Sequence, residues 1–315
     1  MATRIVYFGT PEDSVYPLEY LIKMGIRIAG VYTQPDRLAG RGRRTQAPPV
    51  KVFAQNNKLD VVQPKSLRSR EVVSQLESIA PDLIVVAAYG QFLPKEVLRV
   101  PRFGCLNIHP SMLPKYRGPS PVATAIRNGD SMTGVTIIMV DQGMDSGPIL
   151  AQEEEAVFPK DTTLSLSHRL FTRGAELMVK VLPRYLQGEL DLEPQQEENA
   201  TFSKKLTKND GAVDWSLPAE SLQRQIKAYT PWPGTFTLWE GRMLKIVDAI
   251  AMTALPGGNP GEVVSIKGNH QTPLGIITGD GMLGVLEIQL AGRAVTGAAS
   301  FVAGYSQMIG QRLPS

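Results

Sequence analysis

Residues 105–118 read CLNIHPSMLPKYRG, a short apolar strand that runs straight into polar groups and interrupted backbone. Successive side chains on a strand point to opposite faces, so Leu106 and Ile108 share one face while Asn107 and His109 share the other. Pro110 has no backbone donor and breaks the ladder, which puts His109 at the carboxyl end of the strand. Ligands of open α/β sheets bind outside that end. Further on, GVTIIMV (Gly134 to Val140) reads as another strand and leads into DQGMDSG, where a carboxylate on the loop can reach His109. An Asn and a His near a strand end are more often held by local backbone hydrogen bonds than used in chemistry. Here two prolines of rigid, irregular backbone and an acidic loop join them, a combination that suits a ligand cleft better than a plain turn.

The chain leading up to this stretch alternates strand and helix. Arg4 to Phe8 reads as a buried strand, Gly9 and Thr10 as its turn, and Pro11 to Met24 as a helix with Pro11, Glu12 and Asp13 in its first turn. Gly25 closes that helix and IRIAGVY (Ile26 to Tyr32) is the next strand. Helix Val50 to Asn57, strand Asp60 to Gln63, helix Arg68 to Ile79 and strand Asp82 to Ala87 continue the pattern, which predicts a doubly wound, mostly parallel α/β sheet. The turn GTPEDS is not GxGxxG and no GxxxxGK[ST] occurs, so dinucleotide and P-loop readings are poor. No GxSxG occurs either, which leaves Ser111 as a loop residue whose backbone matters more than its hydroxyl.

Apolar residues recur at helical spacing from Leu170 to Leu186, and Gly188 closes that helix, on which His168 reads as structural or solvated. The polar segment ELDLEPQQEENATFSKK then reads as a linker. From about Lys208, short apolar runs such as GTFTLW, LKIVDAI, GEVVSI and LGVLEIQ alternate with Gly and Pro turns and predict a small β-barrel. Trp232 and Trp239, embedded in apolar β segments, read as core, and His270 as exposed. The expected division is residues 1–188, a linker at 189–207, and a second domain at 208–315.

Composition excludes several classes. In 315 residues, 43% are hydrophobic and 20% charged, which is ordinary for a globular protein large enough for two domains. The single Cys105 permits no intramolecular disulfide and suits a reducing cytoplasm, the expected location. Zinc-type cysteine spacing is missing, no run approaches transmembrane length, and MATRIVYFGT enters a strand with no apolar signal region. A net charge of +3 is too small to argue nucleic-acid binding from the whole chain. Clustering is another matter. Between Tyr32 and Pro48 a long connection carries Arg37, Arg41, Arg43 and Arg44 around Gly40 and Gly42, and long irregular loops in compact domains are usually functional or disordered.

CLNIHPSMLPKYRG followed by GVTIIMVDQGMDSG resembles the formyltransferase family that uses 10-formyltetrahydrofolate. The resemblance implies a Rossmann-like catalytic domain in which Asn107, His109 and Asp145 fall on the catalytic positions. Ser111, Met112, Leu113 and Pro114 fall on the folate-contacting loop, with Met112 in place of the commoner Leu, a volume-conserving change. KKLTKNDGAVDWS and AYTPWPGTF resemble the second, OB-like domain of the branch that acts on methionyl-tRNA. PDRLAGRG resembles the inserted loop with which that branch grips the acceptor end of the initiator tRNA, with Arg41 on its key arginine and Arg43 and Arg44 beside it. The implied reaction moves the formyl group of 10-formyltetrahydrofolate, a donor substrate, to the amine of initiator methionyl-tRNA for translation initiation, by a monomer with no metal. A tetrahedral intermediate would be stabilised by Asn107 and His109, with Asp145 orienting the imidazole. The same three residues suit relatives that formylate a small amine such as an amino sugar nucleotide.

Overall fold

The computed structural model describes residues 3–39, 44–253, 258–266, 268–269 and 272–315, and divides into two compact units. Unit 1 comprises residues 1–121, 132–156 and 167–203, and unit 2 comprises 122–131, 157–166 and 204–315.

The strands up to the second unit are β1 (Ile5–Gly9), β2 (Ile28–Tyr32), β3 (Arg37–Ala39), β4 (Arg44–Gln46), β5 (Val61–Val62), β6 (Leu83–Ala87), β7 (Cys105–His109), β8 (Met132–Met139) and β9 (Ile149–Ala156). Helices α1 (Val15–Lys23), α2 (Pro49–Asn56), α3 (Arg70–Ile79), α4 (Lys95–Leu98), α5 (Pro121–Asn128) and α6 (Thr163–Leu186) intervene. Seven strands form one sheet in the order β5-β2-β1-β6-β7-β8-β9. The first five are parallel, while β8 runs antiparallel to β7 and β9 antiparallel to β8. The sheet is therefore mixed, mostly parallel and Rossmann-like.

The alternation of β1, β6 and β7 buries side chains on both faces. Ile5, Tyr7, Val85, Leu106 and Ile108 join Leu18, Leu21, Phe171 and Met178 in one apolar cluster. Val6, Phe8, Ile84, Val86 and Cys105 join Leu76, Tyr89 and Val97 in another. Double-sided burial is what makes these strands read as continuous apolar runs. It also fixes register, because a slip by one residue would exchange the two faces. Asn107 and His109 consequently lie on the Cys105 face, where β7 runs out of sheet.

In unit 2, β10 (Thr235–Trp239), β11 (Arg242–Met252), β12 (Val263–Ser265), β13 (Leu274–Ile277), β14 (Met282–Leu290) and β15 (Thr296–Gly297) form an antiparallel sheet. Its order is β10-β11-β14-β13-β12 with β15 on β14, a half-barrel of the OB-like kind. Helices α7 (Ala219–Ala228) and α8 (Ala298–Gly304) supply Leu222, Ile226 and Phe301 to its core. Trp239 is buried there against Phe301 and Tyr305, and its indole N–H donates to Gln311 at 2.9 Å. Trp232 is not core: it is 55% exposed, because the two prolines flanking it hold a turn outside the strand that begins at Thr235. His168 is exposed at the surface of α6 with its ring 4.0 Å from that of Tyr16, and His270 lies outside the described residues.

Candidate functional site

Strand β7 delivers the first two residues. Asn107 is half-buried and pairs in register with Val86 and Ile138; His109 is 4% exposed and lies opposite Thr136. The His109 Nε2 atom is 3.2 Å from the Tyr116 carbonyl oxygen. A carbonyl can only accept, so Nε2 carries the hydrogen and Nδ1 is left as the basic atom of the neutral ring. Nδ1 faces the Asp145 carboxylate, with Oδ2 at 3.7 Å, too far for a hydrogen bond but close for a charge. Burial pushes the imidazole below its ordinary pKa; the Asp145 charge and the Tyr116 carbonyl pull the other way without overcoming it. The ring is thus a neutral base next to a carboxylate that would stabilise its protonated form.

Asp145 is positioned by its own backbone and by Gly118. It sits at φ +51°, a left-handed conformation that Asp tolerates better than most residues, and this turns its carboxylate inward. The Gly118 N–H donates to Asp145 Oδ2 at 2.8 Å. Gly118 has φ +111°, and a Cβ there would stand 2.6 Å from the Ser203 carbonyl oxygen, so only glycine brings this N–H to the carboxylate.

The loop from Ser111 to Pro114 is organised by one hydroxyl. Thr136 Oγ1 donates to the Ser111 carbonyl at 2.6 Å and accepts from the Leu113 N–H at 3.1 Å and from Gln152 Nε2 at 2.9 Å. One donor and two acceptor sites are all used. Gln152 also donates to the Leu113 carbonyl at 2.8 Å, and Ser111 Oγ to the Lys115 carbonyl at 2.6 Å. Ser111 and Leu113 are buried, so their polar groups are committed to the protein, while Met112 and Pro114 remain partly exposed. Ala88 to Pro94 contributes a second irregular segment, with positive φ at Ala88 and Gly90 and Phe92 67% exposed.

The largest departure from the sequence reading is the polar segment after Gly188, which lies against the site. Arg117, buried, makes a bidentate pair with Glu197 at 2.9 and 2.7 Å and a third bond to Gln195 Oε1 at 3.0 Å. The pair holds the Glu197 carboxyl below its usual range and the guanidinium above its own. Gln195 Nε2 donates to the carbonyls of Asp145 and Gly147 at 2.8 and 2.7 Å. The Arg117 N–H donates to the Thr201 carbonyl, the Ser203 N–H to the Arg117 carbonyl, and the Tyr116 N–H to Thr201 Oγ1. Tyr116, Arg117, Gly118, Gln195 and Thr201 were not singled out from sequence. The one signal available was the Arg-Gly pair inside an otherwise apolar, proline-rich loop.

The arginine-rich connection forms a short hairpin, β3 pairing β4 with Arg37 opposite Gln46 and Ala39 opposite Arg44. Asp36 anchors its base, accepting from Lys51 at 2.8 Å and Gln63 at 2.6 Å, and both bonds lower its carboxyl pKa. Arg44 opens β4, and Arg41 and Arg43 lie outside the described residues. Among the described residues, no group of three or more His, Cys, Asp or Glu side chains is placed to hold a metal ion, and no helix is long and apolar enough to cross a membrane.

A side-chain amide and a buried neutral imidazole backed by a carboxylate, at the carboxyl edge of a Rossmann-like sheet, equip a protein to transfer an acyl-type group with proton movement. The chain belongs to the formyl transferase family and is an enzyme of that kind: the model of the Formyl transferase domain matches residues 3–182 and that of its C-terminal domain residues 205–306. A methionyl-tRNA formyltransferase of Chloroflexus aggregans is 48% identical over 301 residues, covering 96% of this chain and 97% of the relative. One from Roseiflexus sp. is 44% identical, covering 99% and 96%. Among solved structures, HypX from Aquifex aeolicus in complex with tetrahydrofolic acid matches at TM-score 0.65 and 18% identity over 98% of this chain and 48% of that one. The sugar 3N-formyl transferase WlaRD matches at TM-score 0.63 and 18% identity over 93% of this chain and all of that one. At these identities the structures speak for the fold alone.

Proposed function

We propose that this enzyme transfers the formyl group of 10-formyltetrahydrofolate to the amine of initiator methionyl-tRNA, with Asn107, His109 and Asp145 as its catalytic residues. The observation that carries the chemistry is the buried His109, its Nε2 hydrogen given to Tyr116 and its Nδ1 lone pair facing Asp145, on the same strand face as Asn107. The identity of the acceptor is supported by relatives of the same name that match nearly the full length of the chain.

Attack of the amine on the formyl carbon places negative charge on the carbonyl oxygen and obliges the amine to lose a proton. The Asn107 side-chain N–H donates to that oxygen, a contribution of about 3–4 kcal/mol for one such donor. His109 takes the amine proton on Nδ1, where Asp145 stabilises the imidazolium, and the cation formed beside the oxyanion adds to its stabilisation. His109 then returns the proton to the departing folate nitrogen as the original C–N bond breaks. On the donor side, Met112, Pro114 and Phe92 supply apolar walls for a flat heterocycle, and Ser111 and Leu113 hold that wall from behind through Thr136. The connection between Tyr32 and Pro48, with Arg41, Arg43 and Arg44 in its sequence, contacts the phosphates and acceptor end of the tRNA.

The test is kcat/KM for formylation of initiator and elongator methionyl-tRNA and of an amino sugar nucleotide, across a salt series. Initiator tRNA should be preferred, and Arg43→Ala with Arg44→Ala should flatten the log-log salt dependence by roughly 0.7–0.9 per lost contact. Arg41→Ala should in addition shrink the preference over elongator tRNA. Turnover of the sugar nucleotide with none of either tRNA would replace this acceptor by the small amine.

A further inference from the structure

His109 and Asp145 belong to a closed circuit of contacts. His109 Nε2 lies 3.2 Å from the Tyr116 carbonyl oxygen. Tyr116 leads into Arg117, whose Nε donates to Gln195 Oε1 at 3.0 Å. Gln195 Nε2 donates to the Asp145 carbonyl at 2.8 Å and to that of Gly147 at 2.7 Å. Asp145 Oδ2 then faces His109 Nδ1 at 3.7 Å, which closes the circuit. A second tie crosses it, from the Gly118 N–H to the same Oδ2 at 2.8 Å. One tripeptide, Tyr116-Arg117-Gly118, therefore selects the imidazole tautomer with a carbonyl and holds the carboxylate with an N–H. The side chain between those two contacts is the buried Arg117, forked onto Glu197 and bonded to Gln195.

Resting on the roles proposed above for His109 and Asp145, we propose that Gln195 and Arg117 are positioning residues for formyl transfer, which set the place of the Asp145 carboxylate relative to the imidazole. The chemistry of the amide carries this first. Gln195 accepts from a cation on the Tyr116–Gly118 side and donates to two carbonyls on the Asp145–Gly147 side, and a side-chain amide offers an acceptor and two N–H groups on one head. A carboxylate would oppose an acceptor to two carbonyls, and an amine would oppose a donor to Arg117. The backbone carries it second. Asp145 sits at φ +51°, and such a conformation persists in a non-glycine residue where its surroundings over-determine it. Gln195 on its carbonyl and Gly118 on its carboxylate do so. Distance carries it third: the carboxylate acts on the ring from 3.7 Å by charge alone, and a misplacement of about 1 Å in a catalytic group can cost about 100-fold in rate.

The experiment measures kcat and KM for formylation of initiator methionyl-tRNA, pH–rate profiles and melting temperatures. The proteins are wild type, Gln195→Met, Arg117→Lys, Asp145→Asn and each of the first two variants combined with Asp145→Asn. Asp145 is the charge that acts on His109, and Arg117 in turn feels Glu197, Asp141 and Asp145; Gln195→Met and Arg117→Lys alter none of these charges. Gln195→Met keeps an unbranched side chain and should lower kcat and kcat/KM together by about 10- to 100-fold. Its acid limb should move down, because a displaced carboxylate no longer raises the His109 pKa as far. Arg117→Lys keeps the cation, loses the Nε bond and should show the same signature with a smaller loss. On the Asp145→Asn background neither substitution should slow the enzyme much further, since no carboxylate is left to place. A purely structural role would instead lower the melting temperature, multiply its loss onto that of Asp145→Asn and leave the acid limb where it was. That pattern, wild-type kcat in both single variants, or failure of both to fold would overturn the inference while leaving the catalytic reading standing. A wild-type rate in Asp145→Asn would overturn the catalytic reading and this one with it.

Discussion

Replacing Thr136 by Val keeps the shape of a fully buried side chain and removes only its hydroxyl. In the wild type that oxygen donates to the Ser111 carbonyl and accepts from Leu113 N–H and Gln152 Nε2. Gln152 retains its bond to the Leu113 carbonyl, so its loss is partial. The Leu113 N–H and the Ser111 carbonyl are left buried without their partner, and a buried group so stranded costs about 1–3 kcal/mol. The expected total is about 3 kcal/mol, which for a unit of this size lowers its melting transition by roughly 6–12 °C. The Ser111–Pro114 loop should loosen as well, so the KM for the folate donor should rise more than the KM for tRNA. Thr136→Ser keeps the hydroxyl and should lose only about 1 kcal/mol with little change in KM. Differential scanning calorimetry and steady-state kinetics on the three proteins make the comparison. If Thr136→Val melts within 2 °C of wild type, on the ~3 kcal/mol scale worked above, and binds a folate analogue normally, the hydroxyl does not hold the loop.

Asn107→Ala should reduce the single-turnover rate by roughly 100- to 1000-fold, and its combination with His109→Ala should cost far less than the product of the two, since the proposed mechanism has both act on one transition state. Because burial depresses the His109 pKa, neutral His109 is favoured in the fold; stability and rate should be fully present above the unfolded value near 6.5 and fall as pH drops through the lower folded value. Asp145→Asn removes the charge that raises this pKa, so the acid limb of the pH–rate profile should move further down as the rate falls; a limb that moves up would refute the assignment. Gly118→Ala places a methyl against the Ser203 carbonyl and disfavours φ +111°, so it should impair transfer well beyond its effect on melting. Asp13 is the opposite electrostatic case: burial, with a further push from Glu12 outweighed by the pull of His168, raises its carboxyl from 3.8 to about 6. Its contribution is present below the unfolded value and lost as pH rises through about 6, so Asp13→Asn should stabilise at pH 8, by about 1–2 kcal/mol after solvent screening, and do nothing at pH 4.

The parallel half of the sheet was legible because burial on both faces writes it as apolar runs: β1, β6 and β7 lie within a residue or so of where periodicity puts them. The edge strand β9 was not, since ILAQEEEA carries three glutamates on a partly solvated strand and shows no apolar run. Helix α5 escaped too: it begins at Pro121, directly after the irregular loop that carries Pro110, Pro114, Gly118 and Pro119. Period-two alternation placed Asn107 and His109 on one face correctly, and the acidic loop was in reach of His109 as expected. What the sequence could not announce was the segment around Gln195, Glu197 and Thr201. It is held by hydrogen bonds and one ion pair rather than by apolar burial, so it has no hydrophobic period to detect. Trp232 was misread for the converse reason: an aromatic between apolar strands looks like core until its proline-bound turn is seen to lie outside them.

That hydrogen-bonded segment matters for anyone who cuts or grafts this chain. A fragment ended at Gly188, where periodicity stops, keeps every strand of the large sheet and all of Asn107, His109 and Asp145, yet discards Gln195 from behind Asp145, Glu197 from Arg117 and Ser203 from Gly118. Such a fragment would be an intact frame with a slack loop under its carboxylate. A fragment meant to keep the candidate site together with that strap has to run on to Ser203, fifteen residues later by the numbering, even though the strap carries none of the proposed chemistry.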